Sequence, residues 1–364
     1  MPDVILPGIY ITVRDEGLIT VGGVSTGNIG IVGAAVEGDA DKVYTLSSLT
    51  EAKEIFGPKP DKTYPSTGDQ TLLKAVELVF GNGGNTVYAV RAADDTAEKY
   101  DVALALLENE IVNIVLLAGQ DVTNSDMVAK LKGHLATTEK IHRERIGIIG
   151  CNGSTDVKAI TDNAAAAVND TGRMIYVAPG VSLKRRNPAT GQVSEETLSG
   201  AYMAAAIAGL LSSLPVQSSP TNKPLNVTGL ATNFNYGQLE KLVQKNVLAI
   251  EKREGYRVVK GVTTSTNTAW SQITTRRIVD YAIYGVRSAC NPYIGKLNNA
   301  RVRSAMKATL DGFLSRMVAS EALVGYTLDV SATRAQEIAG QAIVTMAIQP
   351  TFSIDYIMVT MTLG

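Results

Sequence analysis

Short apolar runs alternate with amphipathic stretches between about residues 86 and 178, and this alternation limits the fold more than any other feature. The runs are strand-like, whereas the stretches between them repeat apolar residues with a helical period. Helices that connect parallel strands produce this order, so we predict a mostly parallel sheet with helices on its faces. The expected strands are Thr86–Arg91, Val112–Leu117, Arg145–Gly150 and Arg173–Ala178, the expected helices are Thr96–Asn109, Ser125–Glu139 and Thr155–Val168, and a long Ala-rich helix follows at about Glu195–Leu214.

The pattern changes after the Pro-containing segment Pro215–Gly229, where strands are grouped with a pair of helices. This order is typical of an α+β domain, so the predicted fold class is α/β plus α+β. The expected strands are Asn246–Ile250, Tyr256–Thr264, Ala322–Val330 and Ala342–Pro350, and the expected helices are Thr274–Arg287, Asn298–Ala319 and a short polar one near Thr333–Ala339. The predicted divisions are an arm strand at 1–22, an α/β domain at 23–230, an α+β domain at 231–350 and a second arm strand at 351–364.

Both ends of the sequence are apolar, β-branched and strand-like, whereas most termini are polar and frayed. In the first, Ile9, Ile11 and Val13 share a face. The second, Thr351–Leu363, carries apolar residues on both of its faces, as expected for a sandwiched strand. Two such ends indicate a chain that pairs its extremities with something else, including copies of itself.

Composition excludes several classes of protein. The formal net charge is -1, so no overall charge draws the chain to nucleic acid or to an anionic membrane. The two cysteines, Cys151 and Cys290, do not make a disulfide framework and favour a reducing compartment. No secretory signal is recognisable and the apolar stretches are too short for a membrane span, so we expect assembly in the cytoplasm without stable membrane insertion.

Few residues suggest chemistry. The glycine-rich Gly81–Gly84 follows a helix and precedes a strand, the reverse of a dinucleotide fingerprint, and we expect a helix cap and turn. The only histidines, His134 and His142, lack metal-ligand spacing and are expected on the surface. The acidic pairs Asp94-Asp95 and Glu195-Glu196 are expected at helix starts, where the helix dipole favours carboxylates. The basic cluster Lys184-Arg185-Arg186 is expected in a solvated loop, with docking to an acidic partner as the alternative.

Several motifs near the two ends occur in an order and spacing similar to those of one family. They are Pro7-Gly-Ile-Tyr10, Val24-Ser-Thr26, Ile31-Val-Gly33, Gly255-Tyr-Arg-Val-Val-Lys-Gly-Val-Thr-Thr264, Trp270, Ile273-Thr-Thr-Arg-Arg-Ile-Val-Asp280, Leu323-Val-Gly-Tyr-Thr-Leu-Asp329 and Gly340–Ile348. Together they resemble the contractile tail sheath family of phages and of related injection systems. Residues 90–190 match this family only in pattern, and the loop Ser219–Pro224 is shorter than in many members and has no Trp.

The resemblance implies a structural subunit that polymerises helically around an inner tube and contracts by rigid-body rearrangement to drive that tube through a target envelope. The α/β domain would lie outside and the C-terminal domain inside, completed by terminal strands exchanged between neighbours. The linking residues expected in the N-terminal arm are Ile9, Tyr10, Ile11 and Val13. Those expected in the C-terminal arm are Ile354, Tyr356, Ile357, Met358, Val359 and Met361.

The resemblance also implies the partners: further copies of the chain, the inner tube protein, and baseplate and tail terminator proteins, with no nucleic acid. Arg303, Lys307 and Arg334 are candidates for contact with the tube, although ordinary solvated helix faces explain them equally well. No cofactor, metal or catalytic residue is expected. The assembled particle would be a virion tail or an injection system. Two alternatives remain at this point: an α/β nucleotide-binding enzyme with an appended α+β domain, and another self-assembling layer or filament protein.

Overall fold

A computed structural model describes residues 26–59, 70–186 and 192–362. Within them the chain forms two compact units. The larger unit contains the residues up to Ile273 together with the segment from Ile354 onward, and the smaller unit contains Thr274–Ser353. Over residues 70–186 and 192–362, the polypeptide therefore leaves the larger unit after Ile273 and returns to it at Ile354.

The larger unit is built on a nine-stranded sheet with the order β2-β3-β1-β4-β5-β6-β10-β11-β9. Its strands are β1 Ile29–Gly33, β2 Val43–Leu46, β3 Val87–Arg91, β4 Ile114–Asp121, β5 Ile146–Gly150, β6 Met174–Ala178, β9 Pro224–Leu225, β10 Val247–Lys252 and β11 Tyr256–Val258. The six strands from β3 to β10 pair in parallel, and antiparallel strands occupy the two edges. The predicted mostly parallel sheet is confirmed.

Helices cover both faces of this sheet. They are α1 Leu49–Phe56, α2 Thr71–Gly81, α3 Ala97–Leu106, α4 Ser125–Lys140, α5 Val157–Ala167, α6 Gly200–Ser213 and α7 Tyr236–Gln244. One apolar core lies beneath α1, α2 and α6, and a second lies beneath α3, α4, α5 and α7. Successive strand residues point to opposite faces, so apolar runs such as Ile146–Gly150, buried throughout, contribute to both cores.

Glycines allow α6 to lie directly on the sheet. A Cβ on Gly150 would lie 1.8 Å from the carbonyl carbon of Gly200, and a Cβ on Gly200 would lie 2.5 Å from the amide nitrogen of Cys151. Alanines fill much of the rest of the helix, and nearly all of its residues are buried. The prediction that small side chains allow close packing is confirmed, but the helix begins at Gly200 and not at about Glu195.

The residues before α6 form a hairpin that the sequence analysis did not predict. Strand β7, Val181–Arg186, pairs with β8, Val193–Leu198, in antiparallel register. Lys184-Arg185-Arg186 thus lies at the end of a strand, and the prediction that it lies in a loop is wrong. Glu195 and Glu196 lie in β8 rather than at a helix start. Glu195 accepts a hydrogen bond from Ser182, and Glu196 pairs with Lys74 at 2.6 Å.

His134 is buried, which corrects its expected place on the surface. Its Nε2 lies 3.0 Å from Nη1 of Arg145, whose guanidinium is also buried and donates to the carbonyls of Leu107 and Glu110. Arginine is always a donor, so Nε2 must accept and the imidazole is neutral. Burial, reinforced by the charge of Arg145, lowers the pKa of His134 to about 3.

The domain boundary also differs from the expected position at residue 230. Strand β10 pairs with β6, and β11 and β9 extend the same sheet, so the larger unit continues to Ile273. After a long loop and helix α7, the chain returns to the sheet as β10, parallel to β6. The local sequence pattern does not indicate this return.

The smaller unit contains two long helices, a short helix and a hairpin. They are α8 Ile273–Cys290 (whose first residue still belongs to the larger unit), α9 Ala300–Ala319, α10 Arg334–Ile338, β12 Leu323–Ser331 and β13 Ile343–Pro350. The predicted apolar face of α9 is buried at Leu310, Phe313, Leu314 and Met317 and half-buried at Val302 and Met306. Strands and helices are mixed here as the α+β prediction required.

Candidate assembly interface

The hairpin β12–β13 is a sheet of two strands, with no third strand among the residues that the structure describes. The register pairs Tyr326 with Ile348, Leu328 with Met346 and Val330 with Val344. Half of the backbone N–H and C=O groups of each strand point away from the partner strand. Both outer edges can therefore accept a further strand.

The hairpin has one apolar and one polar face. The three cross-strand pairs given above lie half-buried or buried on the side of α9, where the Tyr326 hydroxyl contacts the Asp311 carboxylate at 2.7 Å. On the opposite side, β12 exposes Thr327, Asp329 and Ser331. A strand added at either edge would continue the apolar layer if its own apolar residues faced the helix side.

The C-terminal arm is the most exposed apolar segment that the structure describes. Ile357, Met358, Val359 and Met361 are 82%, 94%, 75% and 87% exposed. Residues 351–362 form no strand in the single chain, although the sequence analysis predicted one. A strand exists only with a partner strand, which the described residues do not supply. The N-terminal arm residues Ile9, Tyr10, Ile11 and Val13 lie outside the described residues.

The root of this arm is fixed to the larger unit. The Asp355 side chain is 10% exposed and lies 3.5 Å from the Lys260 ammonium. It accepts hydrogen bonds from Gln272 at 3.2 Å and from Thr221 at 3.4 Å. Lys260 also donates to the Tyr356 hydroxyl at 3.2 Å and lies 4.9 Å from the centre of its ring. We call Thr221, Lys260, Gln272 and Asp355 the clasp.

The loop around Ser219–Pro224 supports the clasp. Its Thr221 hydroxyl accepts a hydrogen bond from the Gly261 amide at 3.0 Å. A Cβ on Gly261 would lie 2.7 Å from Cγ of Pro220, so the proline ring packs directly against the Gly261 backbone. At the end of the segment Gly255–Thr264, the Thr264 hydroxyl donates to the Ala167 carbonyl at 2.9 Å. The loop and this segment thus place Thr221 and Lys260 beside the arm.

The three cations expected to contact a tube all have partners within the smaller unit. Arg303 donates to Glu337 at 2.9 Å and is largely buried, whereas Arg334 pairs with the same carboxylate at 3.0 Å and is 84% exposed. Lys307 pairs with Asp329 at 3.3 Å. Arg334 and Arg303 together lower the pKa of Glu337 below its usual range. Arg334 and Lys307 are exposed enough to contact another protein while keeping these pairs.

The described residues contain no group of His, Cys, Asp and Glu side chains that could hold a metal ion. Burial raises the pKa of the Cys151 thiol to about 12 and that of Cys290 to about 11, so neither is an activated nucleophile. Residues Gly81–Gly84 form the end of α2 and a turn before β3, as predicted. Among the described helices, none is long and apolar enough to span a membrane.

A groove of about 480 Å³ lies between α3 and α4. Its lining includes Asp101 and Lys130, which pair with each other at 2.8 Å, and His134. In this groove Asp101 and Lys130 neutralise each other, and Nε2 of the neutral His134 is occupied by Arg145.

Comparison with protein families gives two matches along the chain. The phage tail sheath protein central domain matches residues 93–264, and the phage tail sheath C-terminal domain matches residues 265–364. A search among curated proteins finds no match.

Solved structures share the fold. A chain from the baseplate of the anti-feeding prophage is 20% identical, with a TM-score of 0.72 and full coverage of both chains. A chain from the contracted helical sheath of the same particle is 18% identical, with a TM-score of 0.74 and 99% coverage of both. A chain from the contracted sheath complex of PVC, an extracellular contractile injection system, is 16% identical, with a TM-score of 0.70 and coverage of 100% of this chain and 98% of that one.

Proposed function

The chain belongs to the phage tail sheath family and is a structural subunit of a contractile sheath, and we propose that its two arms build the sheath by strand exchange between neighbouring copies. The observation that carries this proposal is the coexistence of an exposed apolar arm and a two-stranded sheet with open edges in one chain. An enzymatic reading, including the nucleotide-binding alternative, has no support in this family assignment.

The acceptor in this proposal is the hairpin β12–β13 of a neighbouring copy. An added strand gains backbone hydrogen bonds along the edge and buries apolar area at about 25 cal/mol per Å². Strand β13 has 8 residues and β12 has 9, so either edge can pair with most of residues 351–362. The N-terminal arm, through Ile9, Tyr10, Ile11 and Val13, would occupy the other edge. A two-stranded hairpin of marginal stability would thereby become a four-stranded sheet.

Exchanged strands suit a lattice that must contract. They hold neighbours together through backbone pairing while the rest of each subunit moves as a rigid body. Contraction would then release energy stored when the extended lattice forms, and the subunit itself needs neither cofactor nor hydrolysis.

The proposed partners are the inner tube protein and, at the two ends of the sheath, the baseplate and the tail terminator. Arg334 and Lys307 are the proposed tube contacts, and Arg303 holds α10 against α9 through Glu337. Contacts through partly neutralised, exposed cations are weak, and weak contacts let the sheath release the tube. Assembly would take place in the cytoplasm of the producing bacterium, before incorporation into a tail or injection particle.

The test is deletion of residues 357–364, which removes the free part of the arm and leaves the clasp. We expect the full chain to form helical tubes visible by negative-stain microscopy and the deleted chain to remain a folded monomer. Tubes that form equally well after deletion of this segment would refute strand exchange by the C-terminal arm.

A further inference from the structure

We propose that the clasp around Asp355 fixes where the donated strand of the C-terminal arm begins, so that this strand starts at Ile357 and has a single apolar face. This inference rests on the proposed strand exchange and specifies the part of the arm that takes part in it. Asp355 is a positioning residue in this account.

Asp355 and Tyr356 attach the C-terminal arm to the larger unit. Asp355 is held by three side chains from separate parts of that unit, and Tyr356, although 71% exposed, lies on Lys260. Ile354, just before this anchor, is 80% exposed, and every residue from Ile357 to Thr362 is exposed. The arm is therefore anchored at Asp355 and Tyr356, and the residues after Tyr356 are available to a partner.

The side chains after the clasp alternate between more and less apolar positions. Ile357, Val359 and Met361 occupy alternate positions, and Leu363 continues them in the sequence. The positions between them are Met358, Thr360 and Thr362, so two of the three are threonines. Considered as a whole, residues 351–363 are apolar on both faces, but the part beyond the clasp has one apolar and one more polar face.

This pattern matches the acceptor. The hairpin β12–β13 is apolar on the side of α9 and largely polar on the other side. An added strand that turns Ile357, Val359 and Met361 toward α9 continues both layers, and a slip of one residue would reverse them. A fixed starting point prevents that slip, because it sets which residue first reaches the acceptor edge.

The length also agrees. The six described residues Ile357–Thr362 would extend about 20 Å as a strand at about 3.3 Å per residue. Strand β13 has 8 residues, or about 26 Å at the same rise. The segment after the clasp can therefore cover most of one acceptor edge, and the acceptor must begin close to Tyr356 of the donor.

One experiment tests the face and uses two variants with the same added charge. Val359→Glu places a carboxylate on the proposed apolar face, and Thr360→Glu places it on the opposite face. We expect the first to raise the critical concentration for tube formation at least about a hundredfold and the second less than about fivefold. Equal effects of the two variants would overturn the single-face assignment.

A second experiment tests the clasp in the full, unassembled chain by limited digestion with a protease of broad specificity, proteinase K, and mass spectrometry. In the unaltered chain we expect the first cuts between Ile357 and Met361; first cuts on the N-terminal side of Asp355 would overturn the proposal. In Asp355→Ala, cuts before Ile357 should accelerate, and the critical concentration for tube formation should rise at least about tenfold.

Matched variants separate the clasp from general effects. Asp162→Ala removes an exposed ion pair with Lys158 elsewhere in the larger unit and should change neither readout. Lys260→Met removes the ammonium group that faces Asp355. It replaces Asp355→Ala in both measurements if that variant does not fold. If deletion of 357–364 abolishes tubes while Asp355→Ala and Lys260→Met behave like the unaltered chain, strand exchange stands and the clasp is refuted. If the deletion has no effect, strand exchange itself fails.

Discussion

Truncation of one arm side chain should weaken assembly without weakening the subunit. Ile357 is 82% exposed in the single chain, so Ile357→Ala should change the free energy of unfolding by less than about 0.5 kcal/mol. In the proposed joint the same side chain is buried. Replacement of isoleucine by alanine then removes three methylene equivalents at about 0.8 kcal/mol each, or about 2 kcal/mol per joint.

Because each subunit that joins the lattice donates one C-terminal arm, this loss acts directly on the critical concentration. A tenfold change corresponds to about 1.4 kcal/mol, so we expect a rise of about thirtyfold. Sedimentation of tubes over a concentration series measures the critical concentration, and urea unfolding of the unassembled chain measures the subunit. Thr360→Ala is the matched control and should shift the critical concentration less than about threefold. If Ile357→Ala leaves that concentration unchanged, or if both variants shift it equally, Ile357 is not buried in a joint.

Three further predictions concern the stability of the subunit. The pKa of His134 is about 3 in the folded chain, below its ordinary 6.5, so the unfolded state takes up the proton first as the pH falls. The free energy of unfolding should therefore fall by about 1.4 kcal/mol per pH unit below about pH 6. Urea titrations of His134→Gln should lack this slope. Glu337 has a lowered pKa, so its contribution is complete above its ordinary 4.5 and is lost as the pH falls through its folded pKa; Glu337→Gln should melt below the unaltered chain at pH 7, and this difference should shrink in more acidic solution. Gly150→Ala forces a Cβ against Gly200 and should cost at least about 3 kcal/mol or prevent folding, whereas Gly133→Ala meets no atom within 4 Å and should stabilise α4 by up to about 1 kcal/mol, both measured by urea unfolding.

Local periodicity was enough to predict most of the larger unit. Strands β3, β5 and β6 and the helices between β3 and β6 were predicted nearly to their ends, because each is a continuous run with the period of its element. Strand β4 was also predicted, but it continues four residues beyond the predicted end at Leu117. Helices α8 and α9 were predicted for the same reason. The hairpin of β7 and β8 was missed, although its two strands lie close together in sequence. Strand β8 contains two glutamates and precedes a strong helix, so its residues were assigned to that helix.

Features that depend on distant pairing could not be predicted. Strand β10 belongs to the large sheet only because it pairs with β6. The burial of His134 follows from Arg145 and from the carbonyls that Arg145 reaches, none of which its local helical pattern indicates. Local sequence patterns indicate the secondary structure that a residue prefers, whereas these features depend on the distant residues that the fold places beside it.

The candidate site shows the same division. The sequence predicted an apolar C-terminal arm with Ile357, Val359 and Met361, and their exposure agrees with an unpaired strand. It did not separate an anchored root from a free strand, because Thr221, Lys260 and Gln272 are far from Asp355 in sequence. The loop Ser219–Pro224 had no assigned role, and it supplies one member of the clasp, Thr221.

The account depends on the path of residues 357–362 once subunits assemble. A cryo-electron microscopy map of helical tubes formed by the full chain would show that path directly. We predict continuous density from Tyr356 into a strand that lies along β12 or β13 of a neighbouring subunit, with Ile357, Val359 and Met361 on the side of α9. Density that turns back to pair within its own subunit, or that leaves both edges of the hairpin unoccupied in the tube, would contradict the account.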